Sequence, residues 1–396
     1  MHILYYITSH GYGHAVRSAA VCNALFETVG ACARPANVGA DIDRDGLKLR
    51  LTVCTDVPQS FFKEELPFPH NWRSGGFDVG CLQSDGVSVL MKETLAACKE
   101  ISVNNRLRLD EEVRWCKFNN VDCVVSDITP FAFDVARKAG IPSIAISNFT
   151  WHDIYSPYVE RFPEYGEMLE EMADQYRKAS IALTLYPSLP MPVFERKKPI
   201  PILGRRGVNR REEICRYFGI DRDKRLGVIY VGNFGLDRVD WGRLEKFDGG
   251  EFVGVYPLPG GPKNYHLVSK EQFRYQDLSA SADAVIAKMG YGIFSESILN
   301  GIPLVYLPRE DFAEFPVLDA EAKRLGSGVC VDTEEFCALG WLKVLNGIVD
   351  NNKMTPDGGD GARVCAEEII KIAGTRDSKR IITDLLMALA SIFVWC

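Results

Sequence analysis

A short apolar run that leads through two glycines into a helix restricts the fold of this chain more than any other feature. The run is Ala284–Lys288, followed by Gly290 and Gly292 and then by a predicted helix from Ile293. Such a run is typical of a strand buried on both faces of a parallel sheet. The glycines predict a tight turn that lets the backbone approach a ligand, and the N–H groups at the helix start favour an anion such as a diphosphate.

Two charged side chains flank this turn. Lys288 ends the strand and would keep a cation beside a bound diphosphate. Glu296 is predicted in the first turn of the helix, where its carboxylate would accept hydrogen bonds from a ribose diol. The residues Gly301-Ile-Pro303 then lead into the next strand. A glycine-rich turn alone is weak evidence for phosphate binding, but the combination with Glu296 and Gly-Ile-Pro is much stronger.

This segment resembles the donor-site signature of the nucleotide-sugar glycosyltransferases with the GT-B fold. Those enzymes often carry a glycine, a first-turn glutamate and a Gly-Val-Pro at this spacing. The sequence departs from the plant-type members at Lys288, where they have histidine, and at Gly292, where an asparagine is common. The resemblance implies an α/β chain of two doubly wound parallel-sheet domains that face each other across a cleft.

The rest of the chain alternates strands and helices in the same way, which predicts parallel sheets covered on both faces. The predicted strands are 3–7, 49–55, 122–126, 143–147, 226–231, 252–256, 284–288, 304–307 and 329–331, and the predicted helices in the first half are 15–25 and 131–139. Residues 31–48 are predicted as a loop insertion, and five prolines between Pro187 and Pro201 indicate a linker. We therefore expect an acceptor-side domain over 1–195, a donor domain over 196–375, and a C-terminal helix over 376–396 that packs back on the first domain.

Composition and charge limit the kinds of binding partner and the cellular compartment that we expect. A net charge of −7 argues against nucleic acid. Twelve cysteines without a Cys-x-x-Cys pair, and a first strand with no cationic segment before it, predict reduced thiols in a cytoplasmic protein. No run of about 18 apolar residues predicts a membrane span. The apolar tail over 385–396 either packs on the body or makes peripheral membrane contact.

Polar residues also follow the first strand. His10, Gly11, Gly13 and His14 lie at its carboxyl end, where the two glycines are predicted to make a tight turn into the next helix. His14 falls at the start of that helix, where the dipole disfavours a charged imidazole. Asp127 follows another strand of the same predicted sheet. We expect His14 to be a general base that Asp127 orients. The alternatives are that the histidines only fill the turn and that Asp127 caps a helix.

Several longer motifs extend the resemblance to the N-terminal, glycosyltransferase-like half of L-arabinokinases and, more distantly, to the N-acetylglucosaminyltransferase that forms lipid II. The motifs are His10–Arg17, Asp78–Asp85, Val125–Pro130, Asn148–Tyr155, Lys288–Glu296 and Arg309–Pro316. The likeness covers about residues 2–345, and the insertion over 31–48 departs from it. Nothing in the sequence resembles the kinase half, so sugar-kinase activity is not implied.

The resemblance also implies roles for other residues. Arg205 or Arg206 would contact the donor phosphates, although a solvated basic turn is an equal alternative. Gly232 and Gly235 would belong to the first donor-side loop of the second domain. Asp311 and Glu314 would grip the hydroxyls of the donor sugar. Trp151 and His152 are polar-aromatic residues after a strand end and would face the acceptor.

Taken together, the sequence predicts an inverting, metal-independent glycosyltransferase with no cofactor, which uses a UDP-linked sugar as its substrate. The acceptor would be a small molecule or a lipid-linked molecule. The alternatives are a nucleotide-sugar epimerase or hydrolase, which would need extra carboxylates near the anomeric carbon, and a non-catalytic sugar-nucleotide sensor or scaffold.

Overall fold

The computed structural model describes residues 1–32, 49–84, 88–232, 238–309, 311–351, 355 and 357–374. These residues divide into two compact units. The first unit contains Met1–Gly80, Lys92–Pro201 and the described residues from Asp360 onward, and the second contains Cys81–Met91 and Ile202–Gly359. Most of the predicted insertion over 31–48 and the predicted C-terminal helix over 376–396 lie outside the described residues.

Within its described part, the first unit is built on a seven-stranded sheet whose neighbouring strands are all parallel, in the order β3-β2-β1-β4-β5-β6-β7. The strands are β1 (His2–Ile7), β2 (Arg50–Cys54), β3 (Asn71–Arg73), β4 (Cys123–Asp127), β5 (Ser143–Ser147), β6 (Ile181–Leu185) and β7 (Lys197–Ile200). The central strands β1 and β4 are buried along their whole length, as expected for parallel strands with helices on both faces. The four strands predicted in this half are confirmed to within two residues.

The helices of the first unit connect these strands. They are α1 (Tyr12–Cys32), α2 (Gln59–Glu65), α3 (Met91–Phe118), α4 (Phe131–Ala139), α5 (Trp151–Arg161) and α6 (Gly166–Arg177). The helix α1 begins three residues before the predicted start at Ala15. As a result, Gly13 lies inside the helix and not in the turn before it, so the structure contradicts the prediction that Gly13 shapes the turn.

The second unit repeats the design around a six-stranded parallel sheet, again counted over its described residues, in the order β10-β9-β8-β11-β12-β13. The strands are β8 (Arg225–Tyr230), β9 (Gly250–Gly254), β10 (Tyr265–Leu267), β11 (Ala284–Lys288), β12 (Leu304–Leu307) and β13 (Gly328–Cys330), and the helices are α7 (Arg211–Phe218), α8 (Tyr275–Ser281), α9 (Tyr291–Asn300), α10 (Phe315–Leu325), α11 (Thr333–Cys337) and α12 (Leu342–Asn351). The predicted α/β class with two parallel-sheet domains is confirmed.

The boundary between the units differs from the predicted one. The proline-marked segment contains β7, which pairs with β6, and the first unit continues to Pro201 rather than ending at residue 195. Pro199 made this segment look like a linker because proline cannot donate a backbone hydrogen bond. Strand β7 forms the edge of the sheet, where a proline is tolerated.

The chain also returns to the first unit earlier than predicted. A helix over residues 361–374, labelled α13, belongs to that unit and not to the predicted donor domain. One side of α13 is fully buried, at Cys365, Ala366, Ile369 and Ala373. Glu368 on α13 forms an ion pair with Lys198 of β7, with Oε1 and Nζ 2.6 Å apart. The first unit is therefore assembled from segments that are distant in the sequence.

Candidate functional site

The carboxyl ends of β1 and β4 bring the predicted base and its partner together. These strands are neighbours, with Ile7 opposite Asp127. Gly11, with φ of 76°, turns the chain after β1, and α1 starts at Tyr12, so His14 lies in its first turn. The Nδ1 atom of His14 lies 2.8 Å from Oδ1 of Asp127. The predicted contact between His14 and Asp127 is therefore present.

Asp127 is fully buried and holds a negative charge there. Burial alone would raise the pKa of its carboxyl, but the Arg17 guanidinium and then the His14 imidazole hold that pKa well below its ordinary range. Ser18 adds a hydroxyl hydrogen bond to Oδ2 at 3.0 Å. Asp127 is thus an ionised acceptor for His14 and not a helix cap.

Arg17 is a member of this network that sequence reasoning did not assign. Its Nε and Nη2 atoms donate to the two carboxylate oxygens of Asp127, at 2.7 and 2.6 Å. Its Nη1 donates to Oδ1 of Asn148 at 2.7 Å. A signal was available, because residues three apart on a helix share a face and Arg17 follows His14 by three.

Backbone strain accompanies this network. Ile128, directly after Asp127, has φ of 69°, a left-handed conformation that is rare for a β-branched residue. The hydroxyl of Tyr176 donates to the Ile128 carbonyl at 2.5 Å and accepts from the Trp151 N–H at 3.1 Å. Strained backbone of this kind persists where the surroundings fix it, and such positions are common at functional sites.

His10 lies on the other side of the same turn and is held by aromatic packing. Its ring contacts Trp151 edge to face, with centroids 5.3 Å apart. A Cβ on Gly80 would fall 2.3 Å from the His10 ring, and Gly80 has φ of 71°, so only glycine fits there. The Tyr155 hydroxyl donates to the Gly80 carbonyl at 2.7 Å. This packing holds the segment around Gly80 against His10.

The predicted acceptor-side role of Trp151 is corrected by the structure. Trp151 is fully buried, so it supports the site from behind and does not form an exposed wall. The segment is also helical and not a loop, because Thr150 and Asp153 form a capping box at the start of α5. His152 is partly exposed, and burial lowers the pKa of its imidazole. Its acceptor-side role stays a prediction.

Asp78 is a second carboxylate that the sequence reasoning did not assign. Its two oxygens accept from the hydroxyls of Thr8, at 2.6 Å, and Thr129, at 2.7 Å. Burial raises the pKa of this carboxyl, and the hydrogen bonds from Thr8 and Thr129 act in the opposite direction. Asp78 also borders a small cavity of about 20 Å³ beneath α5, together with Asn105 and Tyr155. The only signal for Asp78 was its place in the motif that follows β3.

In the second unit, the predicted glycine turn has a different geometry. Gly290 is extended, with φ of −164°, and α9 already begins at Tyr291, so Gly292 lies inside the helix. Neither residue needs the conformational freedom of glycine, and the predicted tight turn is wrong. The helix start also moves Glu296 from the predicted first turn to the second. The end of β11 and the N-terminus of α9 still meet at this point, as an anion site would require.

Glu296 and Arg205 form a buried ion pair. The Nε of Arg205 lies 2.8 Å from Oε1 of Glu296, and the side chains are 15% and 4% exposed. Arg206 makes different contacts: it donates to the backbone carbonyls of Leu299, at 2.7 Å, of Gly359, at 3.1 Å, and of Asp357. Arg205 is therefore beside the predicted ribose-binding carboxylate, whereas the contacts of Arg206 are structural and do not support a phosphate role.

The remaining predicted donor residues lie at the carboxyl edge of the second sheet. Gly232 follows β8 with φ of 64°, so a turn begins there, and Gly235 lies outside the described residues. Lys288 ends β11. Asp311 and Glu314 lie between β12 and α10, and Glu314 is buried. The structure thus brings these segments to adjacent strand ends, and the individual roles stay predictions.

Three tyrosines near the Arg205–Glu296 pair were not anticipated. The rings of Tyr230 and Tyr275 have centroids 4.4 Å apart, and those of Tyr230 and Tyr256 are 5.9 Å apart. Burial raises the pKa of the Tyr275 phenol, and the charge of Glu296 raises it further. The Tyr230 and Tyr275 phenols remain neutral and offer aromatic faces beside the ion pair.

Among the described residues, no three His, Cys, Asp or Glu side chains come together as a metal ion would need. No described helix is long and apolar enough to cross a membrane.

Comparison with solved structures defines the class of fold. A UDP-glucosyltransferase from Polygonum tinctorium capable of glucosylating indoxyl is 14% identical, with 94% of this chain and 98% of that chain covered and a TM-score of 0.58. Phytolacca americana UGT2, complexed with UDP-2fluoro-glucose and pterostilbene, is 15% identical, with 98% and 99% covered and a TM-score of 0.57. Arabidopsis thaliana UGT89C1 complexed with UDP is 14% identical, with 94% and 99% covered and a TM-score of 0.56. The chain has the GT-B fold.

Among curated proteins, the chain is similar to L-arabinokinase from Arabidopsis thaliana, at 27% identity over 379 residues. The match covers 91% of this chain and 33% of the relative, so the chain spans about a third of the length of that protein. No family model matches the chain. The predicted resemblance to L-arabinokinase is confirmed.

Proposed function

We propose that this protein is a glycosyltransferase that transfers a sugar from a UDP-linked donor to a hydroxyl acceptor, with inversion and without a metal ion. The observation that carries the proposal is the 2.8 Å contact between His14 Nδ1 and Asp127 Oδ1. A carboxylate that accepts from Nδ1 orients the imidazole and leaves Nε2 to take a proton from a hydroxyl. The GT-B fold supports the same class of reaction, as does the similarity to solved glycosyltransferases.

In the proposed step, the acceptor oxygen attacks the anomeric carbon of the donor sugar while the bond from that carbon to the diphosphate oxygen breaks. The electron pair of that bond leaves with the diphosphate, and the acceptor proton moves to Nε2 of His14. One displacement of this kind inverts the anomeric centre. The product His14 imidazolium would be stabilised by Asp127 through the Nδ1 hydrogen bond.

On the donor side, we assign the diphosphate to Lys288 and the N-terminus of α9, because a cation and free backbone N–H groups both favour an anion. Glu296 would accept from the ribose hydroxyls, with Arg205 holding its carboxylate in place through the 2.8 Å contact. Tyr230 and Tyr275 would border the nucleotide. The choice of UDP is supported by the fold relatives that were solved with UDP or UDP-2fluoro-glucose.

The test is a screen of UDP-sugars against mixed hydroxyl acceptors, with release of UDP as the readout. We expect release that depends on an acceptor, and we expect His14→Ala to slow it by about 10²–10⁴-fold, the usual contribution of a general base. The affinity for UDP should change little. The matched control is His70→Ala, because the contacts of His70 with the described residues are local, with the carbonyl of Phe68 at 2.9 Å and with the Phe68 ring.

Each other outcome rejects the proposal in a different way. Release of UDP at the same rate without an acceptor would indicate the hydrolase alternative. Tight binding of a UDP-sugar with no turnover in either protein would indicate a sensor. Equal turnover by wild type and a folded His14→Ala protein would show that His14 is only a turn residue.

A further inference from the structure

Three buried polar atoms form a triangle at the candidate base. Nη2 of Arg17 lies 2.6 Å from Oδ1 of Asp127 and 2.9 Å from Nδ1 of His14, and Nδ1 lies 2.8 Å from the same Oδ1. Asp127, Arg17 and His14 are 0%, 4% and 8% exposed. A simple His–carboxylate pair has no such third member, so the effect of Arg17 on the imidazole requires an explanation.

The two contacts of Nδ1 cannot both be hydrogen bonds at one time. If Nδ1 carries a proton, it donates to Asp127, and the Arg17 N–H has no lone pair to meet on that nitrogen. If Nδ1 is bare, Arg17 donates to it, and the Nδ1 lone pair faces a carboxylate oxygen at 2.8 Å. Both bonds are charge-assisted, because each has one ionised partner. The first arrangement is favoured because the second leaves the Nδ1 lone pair against the negative charge of Asp127, whose two oxygens Arg17 already binds. The second N–H of Nη2 then has the Ser147 hydroxyl within 3.4 Å.

The charges around the ring also favour the neutral imidazole. Arg17 binds both oxygens of Asp127, so its positive charge offsets the negative charge that would otherwise favour an imidazolium. Asp78 is a further carboxylate that interacts electrostatically with His14, and burial opposes its ionisation. Two aromatic neighbours of the ring, Phe149 and Trp151, carry no charge.

We infer that Arg17 is a positioning residue that keeps His14 neutral, protonated on Nδ1 and bare on Nε2, before any substrate binds. This inference rests on the proposed function, because it assigns Arg17 to the preparation of the proposed base. Without Arg17, the negative charge of Asp127 would favour the doubly protonated imidazolium. Its Nε2 would already carry a proton and could not take one from the acceptor hydroxyl. With Arg17 present, Asp127 orients the ring and His14 stays in its neutral, basic form.

The inference can be tested in the free protein by nitrogen-15 NMR of the imidazoles, which distinguishes the two neutral tautomers from the doubly protonated ring. The chain has six histidines, and the His14 signals are identified by their loss in His14→Gln. For wild type at pH 7, we expect a neutral ring with its proton on Nδ1. For Arg17→Gln, the ratio of protonated to neutral His14 at a given pH should rise about tenfold or more, which is the usual effect of removing a like charge at this distance.

The matched control is Arg17→Lys, which keeps the positive charge and should leave that ratio within about threefold of wild type, because charge and not shape sets the effect. An unchanged ratio in a folded Arg17→Gln protein would overturn the inference. If that variant does not fold, the wild-type spectrum decides alone: a proton on Nε2, or on both nitrogens at pH 7, overturns it. None of these readouts uses turnover, so the proposed function could fail while this inference holds, and the reverse.

Discussion

At the scale of single residues, Glu296 connects the proposed donor contacts of the second unit. Its carboxylate is buried against Arg205 and, under the proposed function, also accepts from the ribose hydroxyls. Glu296→Gln removes the charge and keeps the shape. We expect this change to weaken UDP binding by about 1.5–3 kcal/mol, or roughly 10- to 150-fold, as for a lost hydrogen bond to a charged group. Isothermal titration with UDP measures the change directly.

A matched control is present in the same unit. Glu321 is also largely buried and forms an ion pair with Arg324, with Oε1 and Nη2 2.5 Å apart, on helix α10. Glu321→Gln should therefore leave the affinity for UDP unchanged, and it should cost less stability than Glu296→Gln because the Arg324 side chain is 63% exposed. If a folded Glu296→Gln protein binds UDP as tightly as wild type does, the ribose role is wrong.

Residues of the site differ in how far the sequence could reveal them. The contact between His14 and Asp127 followed from one rule, that the carboxyl ends of parallel strands meet at one edge of a sheet. The role of Arg17 was not predicted. Helical spacing shows which side chains share a face of the helix, but it does not show which buried carboxylate each of them binds. Trp151 was assigned to the acceptor because aromatic residues near a strand end are ambiguous between lining a site and supporting it.

At the scale of elements, helices α4 and α9 end in the same way. Each stops at a glycine in the left-handed region, Gly140 with φ of 69° and Gly301 with φ of 70°, and is followed by an isoleucine and a proline. In each, the isoleucine N–H bonds back to a carbonyl of the last turn, at 2.9 Å for Ile141 and 3.0 Å for Ile302. This ending satisfies helix carbonyls and directs the chain into the next strand.

That geometry gives a prediction for Gly140. A side chain in the left-handed region costs about 1–2 kcal/mol, so Gly140→Ala should lower the thermal midpoint by about 2–4 °C per kcal/mol in a unit of this size. Calorimetry measures the midpoint. The control is Gly166→Ala, because Gly166 has helical angles, φ of −57° and ψ of −43°, with open space at the Cβ position. We expect no loss there, and an equal loss in both variants would contradict the explanation.

Nine of the thirteen described strands were predicted, because buried parallel strands carry strong local signals, whereas only three of the described helices were assigned. The failures come where a local signal has two structural meanings. Pro199 indicated a linker but lies in an edge strand. Gly290 and Gly292 indicated a tight turn, but the helix starts at Tyr291 and absorbs the second glycine. Backbone angles at such positions depend on packing from distant segments, which no local pattern contains.

At the scale of the whole molecule, acid sensitivity should depend partly on His2 at the start of β1. His2 is buried; its Nδ1 donates to the Asn119 carbonyl, and Nε2 lies 2.9 Å from the Thr52 hydroxyl. Burial lowers the pKa of this imidazole in the folded state. As the pH falls through the unfolded value of about 6.5, the unfolded chain takes up the proton first. The contribution of His2 to stability is therefore full above that pH and is lost below it.

His2→Asn isolates this contribution, because every other group titrates alike in both proteins. One such group changes the free energy of unfolding by at most about 1.4 kcal/mol per pH unit. We expect the thermal midpoint of wild type to exceed that of His2→Asn by more at pH 7.5 than at pH 5.5, as measured by calorimetry. A difference that is the same at both pH values would show that His2 does not couple folding to protons.

The return of the chain to the first unit has a consequence for the order of synthesis. Helix α13 completes the first unit with four fully buried side chains, and the Cys365 thiol lies in the electrostatic field of Asp127 and Arg17. A ribosome makes the whole of the second unit before it makes α13. At a synthesis rate of about 5–20 residues per second, the apolar surface of the first unit that α13 covers stays exposed for roughly 10–30 s. The apolar surface that α13 covers is therefore among the last parts of the first unit to be buried, and in that interval it is accessible to a chaperone that binds apolar surface.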